Sequence, residues 1–465
     1  MKINLRRAVA ASTVCVTALM GTVTMTPDAA AGGSTGKEGT TAKLVLSKFG
    51  YNTVASGTVV RSNNVEVRTG RTAVVTQACT RLTGTNKTAK TALATPDNQY
   101  INISAITSTS RTYRYAAKSK YGARAVSTIG DVAIGDPAQF GQIVVKGLKV
   151  YADSFHTPKG YGNQAGITFS SLKIVPPEGV DIPGPLQDLL DAIETQVVSQ
   201  IVGVLQKYGT IDIPGFGTIG IGERFRRSGA HYAAAWTHGL VIRFTGDGTK
   251  SMILLGQAHT RVGGPTPLGT FRSNLQAMDV TALDGAIHLS RVGATSLPCE
   301  GTRGNTGHFK LPSAAAVPLA QLISLQGIDN SYGGSQLPAR HLMKGWVNSH
   351  TDKATIKGVP GVSPELVFTK INAKVTVQRR TGHPVATGIT SSVGGFTVDG
   401  KPTALPKPGQ VLTLKNGSGQ AAGTVETRIV ERGRLGAHLQ ALRVTLFQKN
   451  IVIYLGWAYN SVWDN

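Results

Sequence analysis

The sequence predicts a mainly β protein, with two or more antiparallel β-sandwich-like domains and one amphipathic helix inserted at about residues 185–208. Three observations carry this prediction. Short runs of β-branched or alternating apolar residues follow one another along most of the chain, separated by Gly, Ser and Asn. The 56 glycines supply the turns that many short strands require. A unit of two strands also occurs twice.

The repeated unit has the pattern of a β-hairpin. Its first copy runs from Gly229-Ala-His231 to Ala258, and its second copy runs from Gly436-Ala-His438 to Ala458. Aliphatic residues that alternate on both sides of a polar turn are typical of two paired strands. The matched positions are Ile253/Ile453, Leu255/Leu455, Gly256/Gly456, Ala258/Ala458 and Val262/Val462. The repeat predicts a fold built from duplicated hairpins, and it aligns His231 with His438.

The helix at 185–208 is predicted from apolar residues that recur at spacings of three, four and seven. Pro185 lies near its start and Gly209 follows its end, which agrees with the usual start and stop signals. Its polar positions carry acids, whereas a helix on a membrane surface normally carries Lys and Arg. We therefore expect it to pack against a β core.

The N-terminus has the pattern of a secretory signal peptide. Lys2, Arg6 and Arg7 precede a mostly apolar run, and small residues up to Ala31 form a cleavage site. The formal net charge is +23, and this leader holds only three of the 48 basic residues. The mature protein is therefore expected to be secreted, strongly basic, and extracellular or loosely associated with the cell wall.

The sequence divides into five predicted parts. Residues 1–31 form the signal peptide and residues 32–42 a flexible leader of small polar residues. Residues 43–312 form a β-rich domain, in two lobes if the helix separates them, and residues 313–342 form a Pro- and Ala-rich connection. Residues 343–465 form a C-terminal β domain. No sorting signal or apolar tail follows it, so we expect no transmembrane segment in the mature chain.

Two cysteines remain outside the leader, Cys79 and Cys299. They have no CxxC spacing and no neighbouring set of metal ligands. In an exported chain such a pair is typical of one disulfide. This bond would close a loop of 220 residues, which the chain-entropy description values at about 5 kcal/mol as an upper figure.

Six short motifs resemble a known family. They are Phe49-Gly-Tyr51, Ala78-Cys-Thr80, Thr109-Ser-Arg-Thr-Tyr113, Ile129-Gly-Asp-Val-Ala-Ile-Gly135, Thr281-Ala-Leu-Asp-Gly285 and Pro298-Cys-Glu-Gly-Thr302. In that order, over about residues 43–312, they resemble the choice-of-anchor P family of secreted actinobacterial proteins. The resemblance implies an exported protein that is anchored differently in different members, with no catalytic activity to transfer. It also favours pairing Cys79 with Cys299.

Basic residues carry the main functional prediction, which is binding to anionic polymers. They fall in two groups, Arg111, Arg114, Lys118, Lys120 and Arg124 beside several tyrosines, and Arg224, Arg226, Arg227 and Arg243 around the first hairpin copy. Outside a cell the abundant polyanions are teichoic acids and similar wall polymers. Attraction to their phosphate groups is electrostatic and carries no sequence information, so we expect no specific nucleic acid as a partner. The sequence thus predicts a non-catalytic cell-envelope or matrix protein. A solvated basic β face is the alternative interpretation.

Two further functional classes stay open. A carbohydrate-binding β-sandwich would use Trp236, Trp346 or Trp457. A secreted hydrolase would need catalytic groups that converge from distant positions. The sequence contains no nucleophile elbow, HExxH, P-loop or EF-hand motif, and its histidines have no partners that recur in both hairpin copies. We therefore expect no catalytic residue, no metal and no cofactor.

Overall fold

The structure is a computed structural model, which describes residues 44–62, 72–91, 101–136, 141–176, 179, 181–246, 249–282, 287–315, 322–447 and 450–464. The predicted signal peptide and flexible leader lie outside the described residues. No described helix has the length and apolar character needed to cross a membrane.

Antiparallel strands account for most of the described chain, as the sequence predicted. Those of the first half are β1 (Val45–Ser62), β2 (Val75–Thr83), β3 (Asn86–Thr91), β4 (Ile101–Ile103), β5 (Ile106–Tyr115), β6 (Lys120–Asp136), β7 (Gly141–Thr157), β8 (Gly160–Thr168), β9 (Ser171–Val175), β10 (Thr210–Ile213), β11 (Gly217–Ile221), β12 (Arg224–Gly229), β13 (Tyr232–Gly246) and β14 (Thr249–Gly263). Two helices, α1 (Gly184–Glu194) and α2 (Val198–Tyr208), lie between β9 and β10.

The strands of the second half are β15 (Thr270–Ala282), β16 (Ile287–Val292), β17 (Thr306–Ala315), β18 (Ile323–Leu337), β19 (Leu342–Ile356), β20 (Leu366–Arg380), β21 (Ala386–Ser392), β22 (Gly395–Val398), β23 (Lys401–Pro402), β24 (Val411–Lys415), β25 (Ala421–Gly433), β26 (Gly436–Leu446) and β27 (Ile451–Trp463). Buried apolar residues alternate with more exposed ones along the long strands, for example along β20.

The described strands form four sheets, and most of their buried apolar residues fall in two separate cores. Sheet A has the order β10-β11-β13-β14-β1-β2, with β12 beside β13, and sheet B has the order β3-β5-β6-β7-β8, with β4 beside β6 and β9 beside β7. Their shared apolar core defines sandwich 1. Sheet C has the order β16-β15-β27-β26-β25-β24, and sheet D has the order β17-β18-β19-β20-β22-β23, with β21 beside β20. Their core defines sandwich 2.

The two sandwiches have equivalent strand pairing. The first and last strands of each sandwich are neighbours, so Ala55 in β1 faces Ala258 in β14, and Leu275 in β15 faces Ala458 in β27. The hairpins β5–β6 and β18–β19 also both turn through a three-residue 3-10 helix. The duplication that the sequence suggested for one hairpin therefore extends to the larger part of both sandwiches.

The matched aliphatic positions of the hairpin repeat are confirmed by the strand register. Leu240 pairs with Leu255 in β13 and β14, and Leu442 pairs with Leu455 in β26 and β27. All four side chains are buried. The aliphatic pairs thus set the same register in both sandwiches, because each one has to face its core.

The predicted alignment of His231 with His438 is wrong. His438 pairs with Tyr459, and the equivalent pair in sandwich 1 is Trp236 with His259. His231 lies in the turn between β12 and β13. The short Gly-Ala-His motif occurs in both copies, but the buried aliphatic residues decide which positions are equivalent.

The predicted helix at 185–208 is divided into α1 and α2. Gln196 between them has φ of +55°, in the left-handed region, which ends the first helix. The Thr195 hydroxyl donates to the carbonyl oxygen of Ala192 at 2.7 Å and accepts from the amide of Val197 at 3.2 Å. These local bonds compete with helix continuation. Both helices pack on sandwich 1, and their buried side chains are Leu186, Leu189, Ala192, Ile201 and Leu205.

The boundary between the two cores differs from the predicted domain division. The first core ends with β14 and the second begins with β15, whereas the sequence placed a boundary at residue 312 and a connection at 313–342. Much of that connection lies in β17 and β18, where Ile323, Leu325 and Ile328 are buried. Pro312, at the predicted boundary, lies exposed on β17, an edge strand, where its missing amide proton is tolerated.

The two sandwiches are joined by a disulfide and by polar contacts. Cys79 of β2 is bonded to Cys299, which confirms the predicted pair. The Arg272 Nε donates to the carbonyl oxygen of Cys79 at 2.7 Å. The guanidinium of Arg261, in β14, forms an ion pair with Glu300, whose side chain is buried. This interface fixes the loop around residue 299 next to sandwich 1.

Candidate functional site

Cationic and aromatic side chains share the outer side of sheet B, the side turned away from the core of sandwich 1. We call this surface the cationic face, and its residues are Lys90, Arg111, Tyr113, Lys120, Arg124, Lys149, Tyr151, Asp153 and Phe155. Arg111 on β5 lies opposite Arg124 on β6, which lies opposite Asp153 on β7. Side chains on directly opposed residues point to the same side of a sheet, so these three form one row.

Aromatic rings support the cations of this face. The Lys120 Nζ lies 3.8 Å from the ring centre of Phe155 and 5.7 Å from that of Tyr113. The guanidinium carbon of Arg124 lies 5.6 Å from the ring centre of Tyr151. Such cation–π contacts hold the charge close to a ring while leaving the hydrogen-bond donors free to reach outward.

Glycines allow the rings to lie on the sheet. A Cβ atom at Gly122 would lie 2.2 Å from Cζ of Tyr113, its cross-strand neighbour. A Cβ atom at Gly162 would lie 2.6 Å from Cε2 of Phe155, again directly across from it. Any larger residue at these positions would lift the ring from the backbone, so the glycines set the height of the aromatic layer.

One carboxylate is buried among these cations. Asp153 is only 7% exposed and accepts a hydrogen bond of 2.8 Å from the Tyr113 hydroxyl. Burial raises the pKa of Asp153, although the hydrogen bond and the charges of Lys120 and Arg124 lower it. Burial and the adjacent Asp153 also raise the pKa of Tyr113, which stays a neutral donor. Because Asp153 is the carboxylate beside Arg111, Lys120 and Arg124, cations outnumber carboxylates in this part of the face.

Three of the five basic residues predicted near this region come together, and two do not. Arg111, Lys120 and Arg124 belong to the cationic face. Arg114 is on the opposite side of β5, with its guanidinium carbon 5.7 Å from the Tyr121 ring. Lys118 lies in the 3-10 helix between β5 and β6. Alternation along the strand separates neighbours in sequence, which explains the loss of Arg114 from the group.

The sequence missed two lysines and the buried aspartate of this face. Lys90, on β3, lies opposite Thr107, and Lys149, on β7, lies opposite Thr128. Both lysines are exposed and extend the positive charge beyond the row of Arg111. Their separation from residues 111–124 along the chain hid them. The alternation of Lys149, Tyr151 and Asp153 is the one local signal that could have found them.

The second predicted group of arginines does not form one patch. Arg224, Arg226 and Arg227 are exposed on β12, which pairs with β13. Arg227 lies opposite Ala234 and so shares the side of Trp236, whereas Arg224 and Arg226 point to the other side. Arg243 lies seven residues beyond Trp236 along β13. These arginines spread positive charge along sheet A without converging.

The three candidate tryptophans lie on three different sheets. Trp236 is on the outer side of sheet A, where its Nε1 donates to His238 Nε2 at 3.0 Å. Trp457 is on sheet C, with its ring centre 4.2 Å from that of His438. Trp346 is on sheet D and lines a groove of about 510 Å³. They cannot form one carbohydrate site, and the groove makes Trp346 distinct from the others.

The histidine beside Trp457 is partly buried and lies close to a carboxylate. Burial lowers the pKa of His438, although Glu431 opposes this effect with a carboxylate oxygen 3.6 Å from Nδ1. Within the described ranges, no three His, Cys, Asp or Glu side chains are close enough to hold a metal ion. The chemistry that these surfaces offer is charge attraction, hydrogen bonding and ring contact.

No protein-family model matches the chain, and no curated protein matches it either. The resemblance to the choice-of-anchor P family stays a prediction.

Proposed function

We propose that the protein is a non-catalytic, exported protein of the cell envelope or extracellular matrix, and that its cationic face holds it to anionic wall polymers such as teichoic acids. The observation that carries this proposal is the direct opposition of Arg111 and Arg124 across two strands. Like charges placed opposite each other destabilise a sheet. Asp153 in the same row offsets part of that repulsion, and a bound polyanion would offset the rest, so this arrangement suits a surface that works with a polyanion on it.

The chemistry of the face supports a phosphate or uronate ligand. The guanidinium groups of Arg111 and Arg124 can each donate two parallel hydrogen bonds to a phosphate or carboxylate. Lys90 and Lys149 extend the positive surface across further strands, which suits a polymer better than a single small anion. The predicted signal peptide and the disulfide are consistent with a protein that works outside the cell.

Sedimentation with purified bacterial cell walls rich in teichoic acid tests the proposal. We expect the mature protein to sediment with walls at low salt and to be released at high salt, because salt screens attraction between exposed charges. The variant R111Q/K120Q/R124Q should bind roughly a hundredfold more weakly, since each cation near an anionic surface contributes about 1 kcal/mol.

A matched control separates this face from net charge. The variant K401Q/K407Q/K415Q also removes three positive charges, from exposed positions of sandwich 2. It should retain most of the binding. Equal binding by wild type and the R111Q/K120Q/R124Q variant, or equal losses in both triple variants, would contradict a specific role for the cationic face.

A further inference from the structure

We infer that sandwich 2 carries a second binding site, a groove around Trp346 that takes an uncharged sugar chain. The groove runs over the outer side of sheet D between β18, β19, β20 and β21, with a volume of about 510 Å³. This volume lies within the range of about 300–1,000 Å³ that small-molecule sites occupy. The groove and the cationic face belong to different sandwiches.

Trp346 provides a ring surface at the base of the groove. A Cβ atom at Gly333, its cross-strand neighbour on β18, would lie 2.8 to 3.1 Å from three atoms of the indole. The absence of a side chain there lets the indole rest directly on the backbone of β18. The Lys374 Nζ lies 5.2 Å from the ring centre. The negative face of an aromatic ring attracts the positively polarised C–H groups of a sugar ring.

Hydroxyl and amide groups surround the ring. The side chains of Thr376 and Gln378 on β20 and of Ser335 on β18 line the groove. Thr387 on β21 is directly opposite the buried Val377, so its hydroxyl lies on the core side, where it accepts a hydrogen bond of 2.8 Å from Arg432 of sheet C. Among the described residues that line the groove, Lys344 is the charged one and no carboxylate is present. A ring surface next to several neutral donors and acceptors matches the alternating C–H and O–H groups of a sugar.

The loop that carries Cys299 forms one end of the groove. Gly304 lines it, and the amide of Gly304 donates to the carbonyl oxygen of Gly334 at 3.2 Å. The Arg303 guanidinium also donates to the carbonyl oxygen of Gly264 at 3.1 Å, in the segment that joins the sandwiches. The groove is thus held in shape from both sandwiches, as a preorganised binding site requires.

The equivalent position in sandwich 1 indicates which ligand fits. Counted from the 3-10 turns, Trp346 occupies the place of Arg124, and Gly333 occupies the place of Arg111. Thr376 then corresponds to Asp153. At these three places the surface carries charged groups in sandwich 1 and neutral ones in sandwich 2, while Lys344 and Lys374 of sandwich 2 take the places of Gly122 and Tyr151. This difference favours a polyanion as the ligand of the surface in sandwich 1 and an uncharged sugar as the ligand of the groove in sandwich 2.

The test is binding of the full mature chain to a panel of soluble probes. The neutral probes are dextran, arabinogalactan and an N-acetylglucosamine oligomer, and a polyuronate is the charged comparison. We expect at least one neutral probe to bind equally at low and high salt, and the W346A variant to bind it about tenfold more weakly or worse, which is the usual size of a stacking contact. The W346F variant keeps a ring and should recover part of the affinity.

The controls keep the outcome decisive. The W236A variant removes a tryptophan from sheet A and should bind the neutral probe normally, and R111Q/K120Q/R124Q should do so as well. Q378A should weaken binding without disturbing the fold, which covers the case in which W346A is unstable. Failure of all neutral probes to bind, binding to the polyuronate alone with strong salt dependence, or unchanged binding in both W346A and Q378A would overturn the inference.

Discussion

Asp153 shows how one buried residue tunes the charge of a whole surface. Its carboxylate lies in the row of Arg111 and Arg124 and accepts a hydrogen bond from Tyr113. When ionised it subtracts one charge from the cationic face. Because burial raises its pKa, this carboxyl takes up its proton at a higher pH than an ordinary aspartate does.

We expect binding to a phosphodiester polymer to strengthen as pH falls through the raised pKa of Asp153, because the face gains one positive charge while the polymer stays ionised. The D153N variant should bind about fivefold more tightly at neutral pH and show a weaker pH dependence, since one charge contributes about 1 kcal/mol. Asparagine keeps an acceptor for Tyr113. Titration calorimetry at several pH values measures both effects.

The exposed residue Asp181 provides the control, since D181N removes one negative charge outside the cationic face. Equal affinities of D153N and wild type at neutral pH would contradict the proposed role. The raised pKa of Asp153 also affects stability. The folded state holds this proton more tightly than the unfolded state, so the destabilisation by ionised Asp153 is present above the folded pKa and disappears as pH falls to the ordinary aspartate pKa of 3.8.

Among the elements, the pair of helices shows how a local signal interrupts a continuous pattern. The apolar spacing continues from α1 into α2, yet the backbone reverses at Thr195 and Gln196. The Lys207 ammonium and the Asp188 carboxylate lie 3.1 Å apart, which links the end of α2 to the start of α1. This pair is exposed and adds little stability. Burial of Leu189 and Ile201 in the core of sandwich 1 holds the helices in place.

The turn between the helices gives a stability prediction. Gln196 is exposed and has a positive φ, which costs a non-glycine residue about 1 kcal/mol. We expect Q196G to raise the free energy of unfolding by up to about 1 kcal/mol, because glycine adopts this conformation without strain. Thermal or urea unfolding followed by circular dichroism measures the change. Q196A is the control and should not stabilise; a gain of the same size in Q196A would show that strain at this position is not the cause.

Across the whole molecule, the disulfide joins equivalent positions of the two sandwiches. Cys79 and Cys299 are 220 residues apart, the same separation that relates Ala55 to Leu275. The local pairing agrees, since Val75 faces Ala55 as Thr295 faces Leu275. The two halves therefore meet through corresponding segments, as the two subunits of a symmetric dimer do.

This arrangement predicts how the molecule unfolds without its cross-link. Each sandwich has its own core, so C79S/C299S should still fold. We expect its free energy of unfolding to fall by at most about 5 kcal/mol on the chain-entropy description. We also expect its thermal unfolding to separate into two transitions. Differential scanning calorimetry checks both. One transition at an unchanged temperature would mean that the ion pair of Arg261 with Glu300 and the other interface contacts suffice to couple the sandwiches.

Local patterns in the sequence were enough to predict the kinds of element that form. Alternating apolar residues predicted antiparallel strands, helical spacing predicted apolar residues on one side at 185–208, and two cysteines predicted one disulfide. The aliphatic repeat around Leu255 and Leu455 even indicated the duplication. The apolar patterns report where a side chain must be buried, and burial of apolar surface is the dominant driving force of folding.

The sequence alone did not predict which distant residues contact each other. The tertiary structure, in which the strands pair into sheets, decides these contacts. Side chains alternate between the two sides of a strand, so Arg111 and Arg124 came together with Lys149 while Arg114 moved to the opposite side. The strand register set by the core places His438 opposite Tyr459, so His438 is equivalent to Trp236 of sandwich 1 and not to His231. Burial of the aliphatic residues outweighs the short Gly-Ala-His motif. The segment Ile323–Leu337 likewise forms β18 because its apolar side chains are buried on the core side of sheet D. Such contacts form between segments far apart in the chain, and local periodicity contains no information about them.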